Sequence, residues 1–219
     1  DLPKQNIQHW EETLQIATKL PIQHLSLYNL TIEKQTVFFK NRQRIKSLLA
    51  SPEESASMFT SAMRILGEAG LCQYEISAFA REGKESLHNT GYWLGRPFLG
   101  FGPSAFSYWD RKRFSNHASI HRYAECLERG LVAVDFEEKL EDAAHLSEHF
   151  IIQLRMMQGV DKSRFESQFS KLSPEFLEIL KNLTLEGFLE SEQTSWKLSR
   201  KGILFYDHVA TELVDIEGI

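Results

Sequence analysis

Tyr74-Glu-Ile-Ser-Ala-Phe-Ala80, followed closely by His88-Asn-Thr-Gly-Tyr-Trp93, is the stretch on which the fold turns. The first part closes an apolar, β-rich run from Leu71 to Ala80 that reads as a buried strand. The second gathers an imidazole, an amide, a phenol and an indole within six positions. Such groups are costly to bury unless their polar atoms find partners, so a cluster of them reads as a site.

Upstream of this stretch helices and strands alternate. Asn6 can cap a helix that carries Ile7, Trp10, Leu14 and Ala17 on one face and stops at Pro21. His24 to Ile32 reads as another buried strand, with a loop from Glu33 to Lys40 after it. Ser51-Pro-Glu-Glu54 is a strong helix start: serine as cap, proline in the first turn, and a glutamate placed to reach back. The helix it opens runs through Met58, Ala62, Ile65 and Leu66 to Gly70, where glycine permits the left-handed turn. This order predicts an α/β fold with parallel strands joined by crossovers, and chemistry in loops at the strand ends. The six-residue cluster is expected in one such loop, with Pro97 to Gly102 as a short strand beyond it.

Downstream, residues 111–139 read as a connector with one helix, Ile120 to Arg129. Helices follow at Ala144–Met157, Ser163–Phe169 and Pro174–Glu186, then two short strands, Gly187–Glu190 and Ser195–Leu198. A last helix after Ser199 carries Ile203, Leu204, Val209 and Leu213. Helices, a two-strand wing and a further helix predict a winged-helix-like domain.

The two quoted pieces resemble the heme-chaperone branch (HemW-like) of the radical S-adenosylmethionine proteins, which is related to the oxygen-independent coproporphyrinogen III oxidases. The family strand YEISNFA stands here as YEISAFA, and its heme-associated motif HNxxYW as HNTGYW. HLSLYNLTI at 24–32 is likewise similar to the family's HISLYALTI. The resemblance implies that residues 1–110 are the C-terminal part of a partial (β/α)6 radical-SAM barrel of TIM type, that 111–139 connect, and that 140–219 form the winged-helix-like domain. It implies heme binding by His88, Asn89, Tyr92 and Trp93, with His88 as iron ligand. A neutral imidazole is a standard axial ligand to heme iron, flat aromatic rings can stack on a porphyrin, and Asn89 can fix the histidine tautomer. Without the resemblance, His88 reads sooner as a hydrogen-bonded loop histidine beside Tyr92 and Trp93 packed as core.

Asp1-Leu-Pro-Lys-Gln resembles the turn after a central barrel strand, so the chain is expected to be the C-terminal half or more of a longer protein. A [4Fe-4S] cluster of this superfamily needs three cysteines in C-x3-C-x2-C, and only Cys72 and Cys126 are present. Cluster and S-adenosylmethionine are therefore expected in the full-length protein only, no catalytic residue is assigned, and the chain alone should be inactive. Tyr28 to Thr31, and Asp1 undecided, would lie near the S-adenosylmethionine pocket. Both cysteines read as buried free thiols.

Of 219 residues, 42% are hydrophobic and 25% charged, an ordinary globular composition. No apolar run approaches a membrane span and no secretory pattern opens the chain, so a cytoplasmic protein is expected. From residue 141 onward 8 basic residues face 14 acidic ones, a net charge of −6. A duplex binder needs the opposite, so nucleic acid is excluded as a partner, and protein contact is expected instead. His145-Leu-Ser-Glu148-His149 matches a zinc-protease pattern, but a third ligand is missing and the neighbouring Phe150-Ile-Ile reads as core. Gly100-Phe-Gly-Pro-Ser-Ala-Phe-Ser-Tyr108 reads as a tight turn, or as a glycine-rich approach to a cofactor.

Two functions remain open. One is a chaperone that binds heme at HNTGYW and passes it to acceptor proteins. The other is an oxygen-independent coproporphyrinogen III oxidase of porphyrin synthesis. A homodimer is left open beside them.

Overall fold

The computed structural model describes residues 2–214, so Asp1 and 215–219 lie outside the described residues. The chain divides into two compact units, Asp1–Ser86 and Leu87–Ile219.

The first unit is a mixed helix and sheet layer. Its elements are α1 (Ile7–Thr18), β1 (His24–Ser26), the short α2 (Val37–Lys40) and α3 (Arg42–Lys46), α4 (Pro52–Glu68), β2 (Cys72–Glu75) and β3 (Ala78–Ala80). Asn6 caps α1, its side chain accepting from His9 N–H at 2.9 Å. Ser51 and Glu54 form the reciprocal capping box at the head of α4. Gly70, at φ +77°, ends that helix, and Leu71 N–H returns to Leu66 C=O at 2.9 Å. α1 and α4 bury Leu14, Ala62, Ile65 and Leu66 with Leu71 and Phe79 of the sheet side. Trp10 seals the edge, its indole donating to Met58 C=O at 2.7 Å.

The sheet departs from the expected single strand and parallel pairing. Leu71 to Ala80 folds back on itself at Ile76–Ser77, giving the antiparallel pair β2–β3, and β1 joins the other side of β3, also antiparallel. The turn is tied by side chains: buried Glu75 accepts from Ser77 N–H at 3.0 Å, and Gln73 donates to Ile76 C=O at 3.0 Å. Two polar groups inside an apolar run thus give the backbone a turn where β propensity alone predicts continuation. β1 and β2 do point the same way, as a crossover through α4 requires, but β3 lies between them. Beyond Ser26 the predicted strand to Ile32 lacks regular structure, and Tyr28 is exposed. Cys72 stands exposed on edge strand β2 rather than buried.

The second unit opens with α5 (Leu87–Trp93), then β4 (Phe106–Trp109), β5 (Lys112–Asn116), α6 (Ile120–Glu128) and β6 (Val134–Lys139). β4, β5 and β6 form an antiparallel sheet where only a connector and one helix were expected. Its strands read as loop because they are charged: Lys112 meets Glu137 at 2.7 Å and Arg113 meets Glu138 at 2.6 Å across the ladder. Pairing of opposite charges on a solvent-facing sheet leaves no apolar alternation to read. Predicted strand 97–102 shrinks to one bridge, Phe98 to Tyr108.

α7 (Asp142–Leu154), β7 (Val160–Asp161), α8 (Lys162–Gln168), α9 (Pro174–Leu185), β8 (Leu189–Ser191) and β9 (Ser195–Leu198) then follow, with α10 (Arg200–Leu204) and α11 (Tyr206–Val214) after them. The expected strand pair gains a third strand, β7, in the order β7-β9-β8. Phe150, fully buried, sits at the centre, with ring centroids 5.2 Å from Phe165, 5.0 Å from Phe176 and 5.6 Å from Trp196. The last helix, expected as one, breaks at Phe205. Among the described residues no helix is long and apolar enough to cross a membrane.

Candidate functional site

HNTGYW is helical. Where a loop was expected, α5 carries the whole motif, and the reason lies at its end. Gly95, at φ +67°, takes the left-handed turn; its N–H bonds Tyr92 C=O at 3.0 Å and Arg96 N–H bonds Gly91 C=O at 2.9 Å. Those two bonds satisfy carbonyls that a helix end would otherwise leave open. Spacing of four then pairs His88 with Tyr92 along one side and Asn89 with Trp93 along the next.

The two sides differ. His88 is exposed, and no hydrogen bond engages its ring among the described residues; it meets Tyr92 edge-on, with centroids 4.4 Å apart. Tyr92 in turn stands edge-on to Phe98 at 4.4 Å. On the inner side, the guanidinium of Arg155, the residue just past α7, lies over the Trp93 ring, 4.3 Å from its centroid, and also 5.1 Å from the Tyr206 ring of α11. Two buried polar atoms of α5, Thr90 Oγ1 and Trp93 Nε1, find no hydrogen-bond partner among the described residues. Native interiors contain few such atoms, and each calls for an explanation. An open imidazole beside two aromatic rings fits a planar, iron-bearing ligand such as heme.

Near the C-terminal end of α5 lies a histidine–aromatic cluster. His149 is buried against Gly95, and a Cβ at Gly95 would stand 2.2 Å from its Cδ2, so that position requires glycine for space as well as for backbone. His149 Nδ1 donates to His145 C=O at 2.9 Å, and the ring also bonds the Gly95 backbone. His145 Nε2 pairs with the Tyr108 hydroxyl at 2.6 Å, and Phe169 packs on both imidazoles. Glu148 is paired with Arg113 at 2.9 Å. The zinc pattern is thus used up in packing and ion pairing, and among the described residues no group of three or more metal-binding side chains converges.

Burial, then the neighbouring His149, holds the His145 pKa down from 6.5 to about 4; burial lowers His149 as well. An unfolded chain takes up a proton at His145 between about pH 6.5 and 4 that the folded chain refuses. This contribution to stability is full above pH 6.5 and is lost as pH falls through that window. Arg111 opposes the proton and Asp142 favours it, while burial raises the Glu148 pKa, which acts in the opposite sense. In urea unfolding the midpoint should drop between pH 6.5 and 4, and His145→Gln should flatten that drop. Parallel pH profiles for the two proteins would contradict the assignment.

The glycine-rich segment is a hydrogen-bonded turn. Gly100 N–H bonds Ser107 Oγ at 2.9 Å, and Asn116 donates to the carbonyls of Gly100 and Gly102 at 3.3 and 3.0 Å. In the first unit, Tyr74 of YEISAFA accepts from Ser86 N–H at 3.3 Å and bonds His24 at 2.9 Å, fixing the segment that leads toward the motif. Burial raises the Tyr74 pKa. Arg155, Tyr206 and His149 were not legible as neighbours of the motif, because each is distant from it in sequence.

Residues 140–205 match the HemN C-terminal domain. The heme chaperone HemW of Bacillus subtilis (strain 168) is 31% identical over 210 residues, covering 95% of this chain and 55% of that protein. The heme chaperone HemW of Synechocystis is 34% identical over 168 residues, covering 76% and 41%. Coproporphyrinogen III oxidase (HemN) from Escherichia coli, a radical SAM enzyme, shares the fold with a TM-score of 0.77, at 19% identity, over 98% of this chain and 53% of that one. The chain spans about half the length of the curated relatives it matches. The chain is therefore similar to the C-terminal portion of the heme chaperones named HemW, and its residues 140–205 match the HemN C-terminal domain.

Proposed function

We propose that this chain is the heme-holding portion of a radical SAM heme chaperone, and that heme binds at α5. His88 contributes the iron ligand, Tyr92 and Trp93 contribute aromatic contact, and Asn89 orients the histidine. The observation that carries this reading is an exposed imidazole that, among the described residues, makes no hydrogen bond and stands beside the Tyr92 and Phe98 rings. Heme supplies an iron centre that accepts an imidazole nitrogen. The protein binds and orients it, and releases it to an acceptor protein. With only Cys72 and Cys126 this chain offers no three-cysteine loop for a cluster, and the reading takes 1–110 as the closing part of a partial (β/α)6 barrel, 111–139 as connector and 140–219 as the C-terminal module.

The acidic C-terminal module points to protein partners rather than nucleic acid: α9, the helix in the position of a recognition helix, carries Glu175 and Glu178 against a single Lys181. A cytoplasmic location and a homodimer are part of the same proposal. The oxidase reading draws on a shared fold at 19% identity, whereas sequence likeness reaches proteins named heme chaperones at 31% and 34%. Titration of the protein with hemin, followed by absorbance near the Soret band, tests the proposal. A saturable shift near one hemin per chain is the expected result. Linear, unsaturable uptake, equal to that of a protein without the motif, would overturn it.

A further inference from the structure

We infer that Arg155 is a positioning residue for the motif, acting through Trp93 to tie heme retention to helices α7 and α11; this rests on the heme reading of α5. The motif helix is only seven residues long, and isolated helices shorter than about 12–15 residues are marginal in water. Something outside α5 must hold it. Beside the Tyr92–Phe98 contact, two attachments come from α7 and the residue that caps its C-terminal end. His149 fills the space against Gly95 at the helix end, and the Arg155 guanidinium covers the ring of Trp93.

Arg155 is the more telling of the two. Its planar cation lies over two rings, Trp93 from the motif and Tyr206 from α11. Tyr206 is itself fixed, donating from its hydroxyl to Ile151 C=O of α7 at 3.0 Å. The chain of contact therefore runs from α7 and α11, through one guanidinium, into the motif. Stacking of this kind depends on a flat, delocalised cation; a lysine ammonium keeps the charge and loses the plane. Trp93 lies on the inner side of α5, while His88 and Tyr92 lie along the other. Holding Trp93 thus fixes the rotation of the helix and hence the direction in which His88 is presented. Arg155 itself lies over the inner ring and need not touch the heme.

Two readouts test this, one independent of heme. Hydrogen exchange of the Leu94, Gly95 and Arg96 amides reports the closure of α5, whose bonds they make to Thr90, Tyr92 and Gly91. In Arg155→Met these amides should exchange at least about tenfold faster while β9 amides keep their rates. Hemin affinity should fall roughly three- to tenfold, with the Soret position of the bound form unchanged. Arg155→Lys should lie between, and it carries the test where Arg155→Met does not fold. In a Trp93→Leu background, Arg155→Met should add little, because its route into α5 is already gone. Unchanged exchange at α5 overturns the inference whether or not heme binds. A shifted Soret band in Arg155→Met would make Arg155 a heme contact and overturn it too, as would additive losses with Trp93→Leu. Absence of hemin binding in the unaltered protein would refute the heme reading alone, leaving the exchange measurement to decide the role of Arg155.

Discussion

Phe150→Ala is expected to lower the stability of the second unit by about 3–5 kcal/mol, the usual range for truncating a buried phenylalanine. Phe150 is fully buried, edge-on to Phe165 and Phe176 and tilted against Trp196. Those rings come from α8, α9 and β9, so one side chain joins the two later helices to the wing. Alanine leaves a cavity ringed by aromatic groups whose rotamers cannot collapse into it without tilting those elements. Against a typical total of about 5–15 kcal/mol, that is a large share, equivalent to roughly 10–20 °C in melting temperature. Phe101→Ala serves as the control, because that ring is 85% exposed and should change stability by no more than about 0.5 kcal/mol. Calorimetry of the two variants distinguishes them. A shift of only a few degrees for Phe150→Ala would mean that the helix–wing core is not where the ring contacts put it.

Much of this fold follows from local chemistry that the sequence displays openly. Ser51-Pro-Glu-Glu54 forms the capping box its residue types prescribe, and Asn6 caps α1. Gly70 and Gly95 end their helices because only the left-handed turn lets the following amides reach back. The second of these was a readable sign that HNTGYW is helical: a glycine two residues past Trp93 is a helix stop. The strand before the motif dominated instead, and a loop was expected. The fold-back inside Leu71–Ala80 was harder to see. It depends on Glu75 and Gln73 bonding the turn backbone, a choice that apolar patterning hides. The charged sheet of β4 to β6 was hidden for the opposite reason, since its stabilising pairs are salt bridges between strands rather than an apolar face.

The candidate site divides along the same line. His88, Asn89, Tyr92 and Trp93 are adjacent in sequence and stay together on one helix. Much of what surrounds them comes from far along the chain: His149 from α7, Arg155 from its C-terminal cap, and Tyr206 from α11. The H-x-x-E-H pattern drew attention to His149 for the wrong reason. Its four-residue spacing matters because it packs His149, tilted, against His145 and turns its ring toward Gly95, not because it gathers a metal.

Loss of the imidazole at position 88 should have the largest functional effect of any single change. His88 is exposed, so its removal costs little in folding, and any loss of heme binding reports the ligand itself. Removing an iron ligand should weaken hemin binding at least about tenfold, since loss of a mere supporting group around a metal already costs about 10- to 100-fold. His121, an exposed histidine on α6, provides the control, and His121→Gly should leave hemin binding unchanged. The most direct measurement is chemical rescue: absorbance spectra of hemin bound to His88→Gly, recorded with and without free imidazole. The expected result is a displaced Soret band and weakened binding in the variant, both moving back toward the unaltered protein as imidazole is added. A His88→Gly protein that binds hemin with the original affinity and the original Soret position, before any imidazole is present, would contradict the assignment of α5 as the heme site through His88.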